Sequence, residues 1–544
     1  MQDFSNVTLD LKNEYNGEFS IFFKTPRDFD FLDSLWCWGS LLLGYIFCRA
    51  FPAVSKPLYS LIFIVLLYAS TLVMLILKKA KFGKAAICIG VSGLFVSLSL
   101  FLSGNSVIHT FAFGYGIFAY CYFVSAATEN RLEGGVSSYI LIDFLKAVFV
   151  IPFSGAGGII SAMFSKKNNK FGSILGKVIL GVIIPIVPTA IVFSLLSFDS
   201  EFLNLFGNIF NFNLENIVGQ VVSIILAFPM GAYIFRLFVS SCDKSAKGVV
   251  TAKECKKASE RAAIVPIITL FSATIPLLFI YVIFFISQWK YYVSGFLGEL
   301  PENLNYATYA REGFFQLLAV SAINLAIIAA IGLFAKKKSG FGKFSVKILN
   351  AVVSIFTLIL ISTAVSKLVL YIDEHGLTPK RVHAFWFMMV LTLIFIAVFL
   401  KQFMAKIKLI PISLAIVVIM FFSLGVSGSD GFIAKYNVDR YLNGSLDKII
   451  ISDLEKLGDA AVPQYVRLEK ELKEREKTLL SGDYFEYLQN NDSARIVELE
   501  AALNDYTHKI FSEYSRKPKY NWYEITLPKI LATRAIRERT ENNG

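Results

Sequence analysis

The chain has 544 residues, 55% of them hydrophobic and 17% charged, with a mean hydropathy of +0.59. Soluble domains run at about 45–50% apolar and about 25% charged, so these figures exclude an ordinary soluble enzyme. The net charge of +12 is uneven: residues 428–544 hold 18 Lys and Arg against 20 Asp and Glu, which leaves +14 on residues 1–427.

Basic loops facing anionic lipid headgroups explain that excess, and nucleic acid is not expected as a partner. The six cysteines all precede residue 256 and form no CxxC pair, so the chain is not a disulfide scaffold.

In chain order, residues 1–34 read as a cytoplasmic N-terminal segment. They lack a basic start followed by a short apolar core and a small-residue cleavage site, so the first helix is expected to be retained. Apolar runs of about 20 residues, enough to cross a bilayer, then define a transmembrane domain over 35–427. Eleven spans are predicted, at 35–51, 58–77, 85–104, 107–127, 174–198, 219–240, 263–288, 313–335, 348–371, 382–400 and 409–427.

Lys and Arg in short connections are retained on the cytoplasmic side during insertion. Alternate connections, from Lys78–Lys84 to Lys401–Lys408, hold at least 21 of them and the opposite set holds six. The N-terminus is therefore predicted inside and the C-terminal region outside, as in a multi-pass protein of the inner (plasma) membrane. Residues 137–164 are apolar but carry Asp143, Lys146, Pro152 and the run Gly155 to Gly158. As a span they would bury two charges and invert every later loop, so they are predicted to be interfacial or re-entrant on the cytoplasmic face.

From Ser429 onward, amphipathic patterns replace continuous apolar runs, and residues 428–544 read as an extracytoplasmic α-helical domain. One helix starts near Asp459, with Pro463 in its first turn, Val462, Tyr465, Val466, Leu472 and Leu479 near one face, and Glu469/Lys473 and Glu471/Arg475 on a solvated flank. A second runs from about Ser493, where Ile496, Leu499, Leu503, Tyr506, Ile510 and Tyr514 form a packing seam. A third lies around 523–539. The predicted fold is all-α: a polytopic transmembrane bundle of about eleven helices with a C-terminal soluble helical domain.

Proline recurs in three consecutive predicted helices: Pro185 and Pro188 in the fifth, Pro229 in the sixth, Pro266 and Pro276 in the seventh. Each removes a backbone donor and frees a carbonyl, which broken helices use to bind substrates or ions near the midplane; the plainer reading is a kink resatisfied by neighbours. Ionisable groups within spans are few, namely His109, Lys177, Arg236 and Lys367. The last three lie near span ends, where snorkelling accounts for them, and His109 reads as a satisfied interface residue.

The densest polar cluster on the predicted outer face combines Asp373, Glu374, His375, Arg381 and His383 with Tyr309, Arg311, Glu312 and Gln316. It suits a polar rim or binding surface. Adjacent carboxylates and histidine diverge on a helix, whereas a metal needs convergent ligands; no metal, cofactor or catalytic residue is assigned.

Three segments carry a resemblance: Tyr306-Ala-Thr-Tyr-Ala-Arg-Glu-Gly-Phe-Phe-Gln-Leu-Leu318, Tyr371-Ile-Asp-Glu-His-Gly-Leu-Thr-Pro-Lys-Arg381 and Asn437-Val-Asp-Arg-Tyr441. Across roughly 300–465 the chain resembles a bacterial multi-pass membrane family known as a domain of unknown function, the four-one-seven-three group, related to the four-one-five-three group. His375 stands where that family more often has tyrosine, and Val438 replaces an isoleucine. The resemblance implies architecture only, with no activity to carry onto single residues.

The leading expectation is a non-enzymatic envelope protein that senses or assembles, with the outer segments 306–316 and 371–381 seating the C-terminal domain. Its partners are the lipid bilayer and an extracytoplasmic protein bound by 428–544; no oligomeric state is assigned. A transporter with a pathway near the fifth to seventh helices is the alternative, and an enzyme acting on a lipid-linked substrate is third.

Overall fold

The computed structural model describes residues 29–51, 55–80, 82–134, 137–154, 158–163, 214–244, 250–297, 306–336, 340–446, 448–480 and 521–543, and the single positions 181, 192, 195, 196, 503 and 510. Among these residues the structure is all-α, and the one strand-like pairing is an isolated bridge between Val265 and Ala335. Ten described helices are long and apolar enough to cross a membrane. They match ten of the eleven predicted spans; the predicted span at 174–198 lies outside the described residues. By its contacts the chain divides into one unit of residues 1–97 and 113–252 and a second of 98–112 and 253–544.

The first unit holds α1 (Phe31–Ala50), α2 (Pro57–Leu77), α3 (Lys84–Ser97), most of α4 (Ser106–Ala127), α5 (Ile140–Leu145), α6 (Gly158–Met163) and α7 (Leu214–Cys242). Asp30 and Asp33 form a capping box at the start of α1, which satisfies orphan N–H groups of the first turn. Lys78, just beyond α2, reaches both carboxylates at 3.0 and 2.7 Å. Burial works against the Lys78 charge, but the two carboxylates outweigh it and raise its pKa.

Small residues let backbones approach in lipid, where apolar burial gives no drive between helices. A side chain at Gly231 of α7 would stand 2.7 Å from the Leu41 Cα of α1. Tyr68 donates to the Gly116 carbonyl at 3.0 Å, and the Thr71 and Tyr120 hydroxyls pair at 2.9 Å, joining α2 to α4.

The segment predicted as interfacial or re-entrant is amphipathic in an inverted sense. Asp143, Lys146, Ala147 and Val148 are buried, while Leu141, Leu145, Phe149 and Phe153, four residues apart, are exposed. The six residues of α5 continue into a five-residue π turn, Lys146–Val150. At ~1.5 Å per residue this covers ~17 Å, well short of a ~30 Å hydrocarbon core. Side chains of α7 take up the carbonyls at its end: Tyr233 donates to Val148 O at 2.9 Å, and Arg236 and Ser240 to Ser154 O at 2.7 and 3.0 Å.

The second unit holds α8 (Ala252–Ala262, from Lys253), α9 (Ile267–Leu297), α10 (Tyr306–Phe334), α11 (Gly340–His375), α12 (Pro379–Phe403), α13 (Leu409–Val426), α14 (Ser429–Leu442), α15 (Val462–Leu480) and α16 (Leu527–Asn543). Tyr281, Leu317, Val353, Leu360 and Phe395 belong to one core shared by α9 to α12, and Trp386 donates to Met420 O at 2.8 Å to hold α13.

A separate core unites α14, α15 and α16 with Leu503 and Ile510. Two residues of the predicted seam are thus helical and buried; the rest of 481–520 lies outside the described residues. Leu377, from the turn between α11 and α12, completes this core. Glu469 is not on a solvated flank: it is 7% exposed and accepts from Lys473 at 2.7 Å and from Arg539 of α16.

Candidate functional site

The turn joining α11 to α12 and its flanks carry five of the nine predicted rim residues, Asp373, Glu374, His375, Arg381 and His383. His375 ends α11, Gly376 follows at φ +72, and Pro379 opens α12 at its first position. Glycine in the left-handed region and proline at N1 are the residues such a helix-to-helix corner requires. A side chain at Gly376 would stand 2.6 Å from the Asn437 Oδ1.

Asn437 of α14 brackets the next residue. Its Oδ1 accepts from the Leu377 N–H at 2.7 Å and its Nδ2 donates to the Leu377 carbonyl at 2.8 Å. Leu377 is buried, so the amide supplies a partner to both of its backbone groups, which helix bonding leaves unmade.

One turn later Arg440 meets Asp373 at 3.2 Å, the Tyr436 hydroxyl at 3.3 Å and the Ser445 carbonyl at 2.8 Å. Arg381 lies 4.2 Å over the Tyr371 ring and donates to the His375 and Gly376 carbonyls. A cation at the C-terminal carbonyls of α11 also suits the helix dipole.

Asp430, in the first turn of α14, is 6% exposed. Burial raises its pKa, opposed by Asn105 Nδ2 at 3.3 Å, by the His383 charge and by Ser429. Asp373, Glu374 and His375 are exposed, and His383 is partly buried. Gln316 is exposed on α10, whereas the side chains of Tyr309, Arg311 and Glu312 in its first turns lie outside the described ones.

The proline set is placed differently from expectation. Pro229 and Pro276 do lie inside α7 and α9. Pro266 precedes α9, because the chain there forms the bridge in which Val265 N–H donates to Phe334 O at 2.9 Å and Lys336 N–H to Val265 O at 3.0 Å. Pro185 and Pro188 lie outside the described residues.

Two polar clusters carry no motif in the sequence. In the second unit, Tyr281 donates to Asn324 Oδ1 at 2.6 Å and Asn324 Nδ2 to the Thr357 hydroxyl at 2.9 Å, a buried chain across α9, α10 and α11. Lys367, on the same α11, is 6% exposed and so does not snorkel to an open surface. In the first unit, Asp143 Oδ1 accepts from Leu132 N–H at 2.8 Å and Lys146 donates to Asn130 O at 3.3 Å. Asp143 Oδ2 and Asn130 Oδ1 are buried with no hydrogen-bond partner among the described residues. His109 is buried with its Nε2 2.8 Å from the Ser103 carbonyl. Among the described residues no group of three His, Cys, Asp or Glu converges as a metal cage would.

A family model described as "Domain of unknown function (DUF4153)" matches residues 61–468. This is the related group named with the resemblance, and the match reaches far upstream of the 300–465 stretch on which that resemblance rests. It takes in both the 371–381 turn and the Asn437–Tyr441 segment that holds it. No curated protein and no solved structure matches the chain.

Proposed function

This chain belongs to the DUF4153 family, and on that premise we propose that it is a non-enzymatic sensor or assembly protein of a bacterial inner membrane. In this reading the N-terminus is cytoplasmic and residues 428–544 are extracytoplasmic. The C-terminal helices report their state to the α11–α12 hairpin through the 371–381 turn. One observation carries the reading: Asn437 satisfies both backbone groups of Leu377, so α14 cannot shift without breaking the corner between two membrane helices. A ligand or protein that binds one arrangement of α14 better than another then moves the hairpin by its differential affinity.

Spin labels on the full chain in nanodiscs, at exposed Glu374 of the turn and exposed Lys456 of the C-terminal helices, test it. Asn437→Leu is expected to broaden a narrow distance distribution; an unchanged distribution sinks the reading. A transporter is the second reading, favoured by the Tyr281, Asn324 and Thr357 chain with buried Lys367, since polar groups within spans mark pathways. In that reading the route runs along α9 to α11, the seventh to ninth predicted helices, and shares only the seventh with the fifth-to-seventh set; flux of small solutes into proteoliposomes, lost in Asn324→Leu, tests it.

A further inference from the structure

The helix α8 (Ala252–Ala262) buries none of its side chains. A helix of 11 residues without tertiary packing is marginal in water, since isolated helices need about 12–15 residues even when alanine-rich. Its sequence is nevertheless divided cleanly at 3.6 residues per turn. Lys253, Glu254, Lys256, Lys257, Glu260 and Arg261 occupy one half of the circumference, and Ala252, Cys255, Ala258 and Ala262 the other.

The chain also fixes where α8 lies. Four residues separate it from α9, whose membrane span starts at Ile267, and at ~3.5 Å per residue they reach at most ~18 Å. The Val265 to Ala335 bridge pins that departure point to the end of the α10 span. The next connection brings Lys336, and then Lys343 and Lys347 at the start of α11, to the same boundary, all three exposed. A small amphipathic helix held at a bilayer edge, beside further exposed lysines, faces headgroups.

We infer that α8 is an in-plane binding surface for anionic phospholipid headgroups, made by Lys253, Lys256, Lys257 and Arg261. Its apolar half offers only alanines and a cysteine, too little area to insert by hydrophobic burial alone, so attraction to negative lipid supplies what packing does not. The contact therefore reads the charge of the leaflet, and it weakens with salt, because exposed charges are screened within about 8–10 Å at physiological ionic strength. This rests on the membrane-spanning architecture and not on the sensing or transport readings above.

Hydrogen–deuterium exchange of the full chain in nanodiscs decides it. With phosphatidylglycerol added to phosphatidylcholine, amides of 252–262 are expected to exchange about tenfold more slowly, and high salt is expected to remove that protection. The variant K253Q/K256Q/K257Q/R261Q is expected to lose it too, with exchange in α10 and α11 unchanged. Equal exchange in the two lipid compositions overturns the inference. So does protection that survives in the variant, which would assign it to packing that does not use these four charges. Should the variant misfold, the salt series on the unmodified chain in both compositions decides alone.

Discussion

Two regions bury polar groups at the ends of membrane helices and treat them in opposite ways. At the α11–α12 corner the backbone of Leu377 is paired at both N–H and C=O by one amide, and Arg381 and Arg440 take up neighbouring carbonyls. Around α5, Asp143 and Asn130 are as deeply buried, yet each keeps an oxygen without a hydrogen-bond partner among the described residues. The contrast teaches where polarity is structural. A fully paired group loses much when its partner goes, whereas a half-paired one has little left to lose.

The largest effect should come from breaking the paired corner. Asn437→Leu strands two buried backbone groups and is expected to cost about 2–4 kcal/mol, read as a lower thermal midpoint of the full chain in detergent. Gly376→Ala asks an L residue to adopt φ +72 against Asn437; about 2 kcal/mol is expected by the same measurement, and no loss would mean the corner yields easily.

Glu469→Gln sharpens the comparison through pH. Burial pushes the Glu469 carboxyl up, but Arg539 and Lys473 outweigh it and hold its pKa below the usual 4.5. A depressed carboxylate stabilises the fold above its unfolded pKa, and that stability is lost as pH falls through the folded one. The variant should therefore be about 1–2 kcal/mol less stable at neutral pH, with the gap closing in acid.

Asp143→Asn should give the smallest change and the opposite sign. Burial raises the Asp143 pKa above 3.8, against the Leu132 N–H, Lys146 and Arg131. A raised carboxyl contributes stability that is full below its unfolded pKa and disappears as pH rises through the folded one. At neutral pH the asparagine variant should match the unmodified chain or exceed it by less than about 1 kcal/mol. A clear loss would show that Leu132, Lys146 and Arg131 outweigh the burial of the Asp143 charge and would erase the contrast between the regions.

The spans were legible because a bilayer demands continuous apolar runs of fixed length; Lys84–Leu102 and Pro379–Phe403 depart from the predicted bounds by only one to three residues. The site was legible in part. Asp373, Glu374, His375, Arg381 and His383 read as a polar rim, and Asn437 and Arg440 fall in a resemblance segment, but nothing in their spacing says that 377 and 437 pair across 60 positions. Pro266 read as intrahelical because its neighbours are apolar on both sides, and the bridge that ends the helix there is a contact with residue 335. Glu469 read as solvated because an i,i+4 partner suffices to explain it, whereas Arg539 reaches it from 70 residues away.

By itself the sequence determined what local chemistry can dictate: a polytopic all-α chain, the lengths of its spans, the amphipathic character of the C-terminal helices and the charged character of its connections. Hydropathy, helix period and cap residues act over one turn or one bilayer thickness. Only the tertiary structure decided which polar groups are paired, that Leu377 of a membrane corner completes the core of the C-terminal helices, and that Asp143 and Lys146 are buried while Leu141, Leu145, Phe149 and Phe153 face out. Those outcomes depend on residues tens to hundreds of positions apart meeting within hydrogen-bond distance, and no local pattern encodes that.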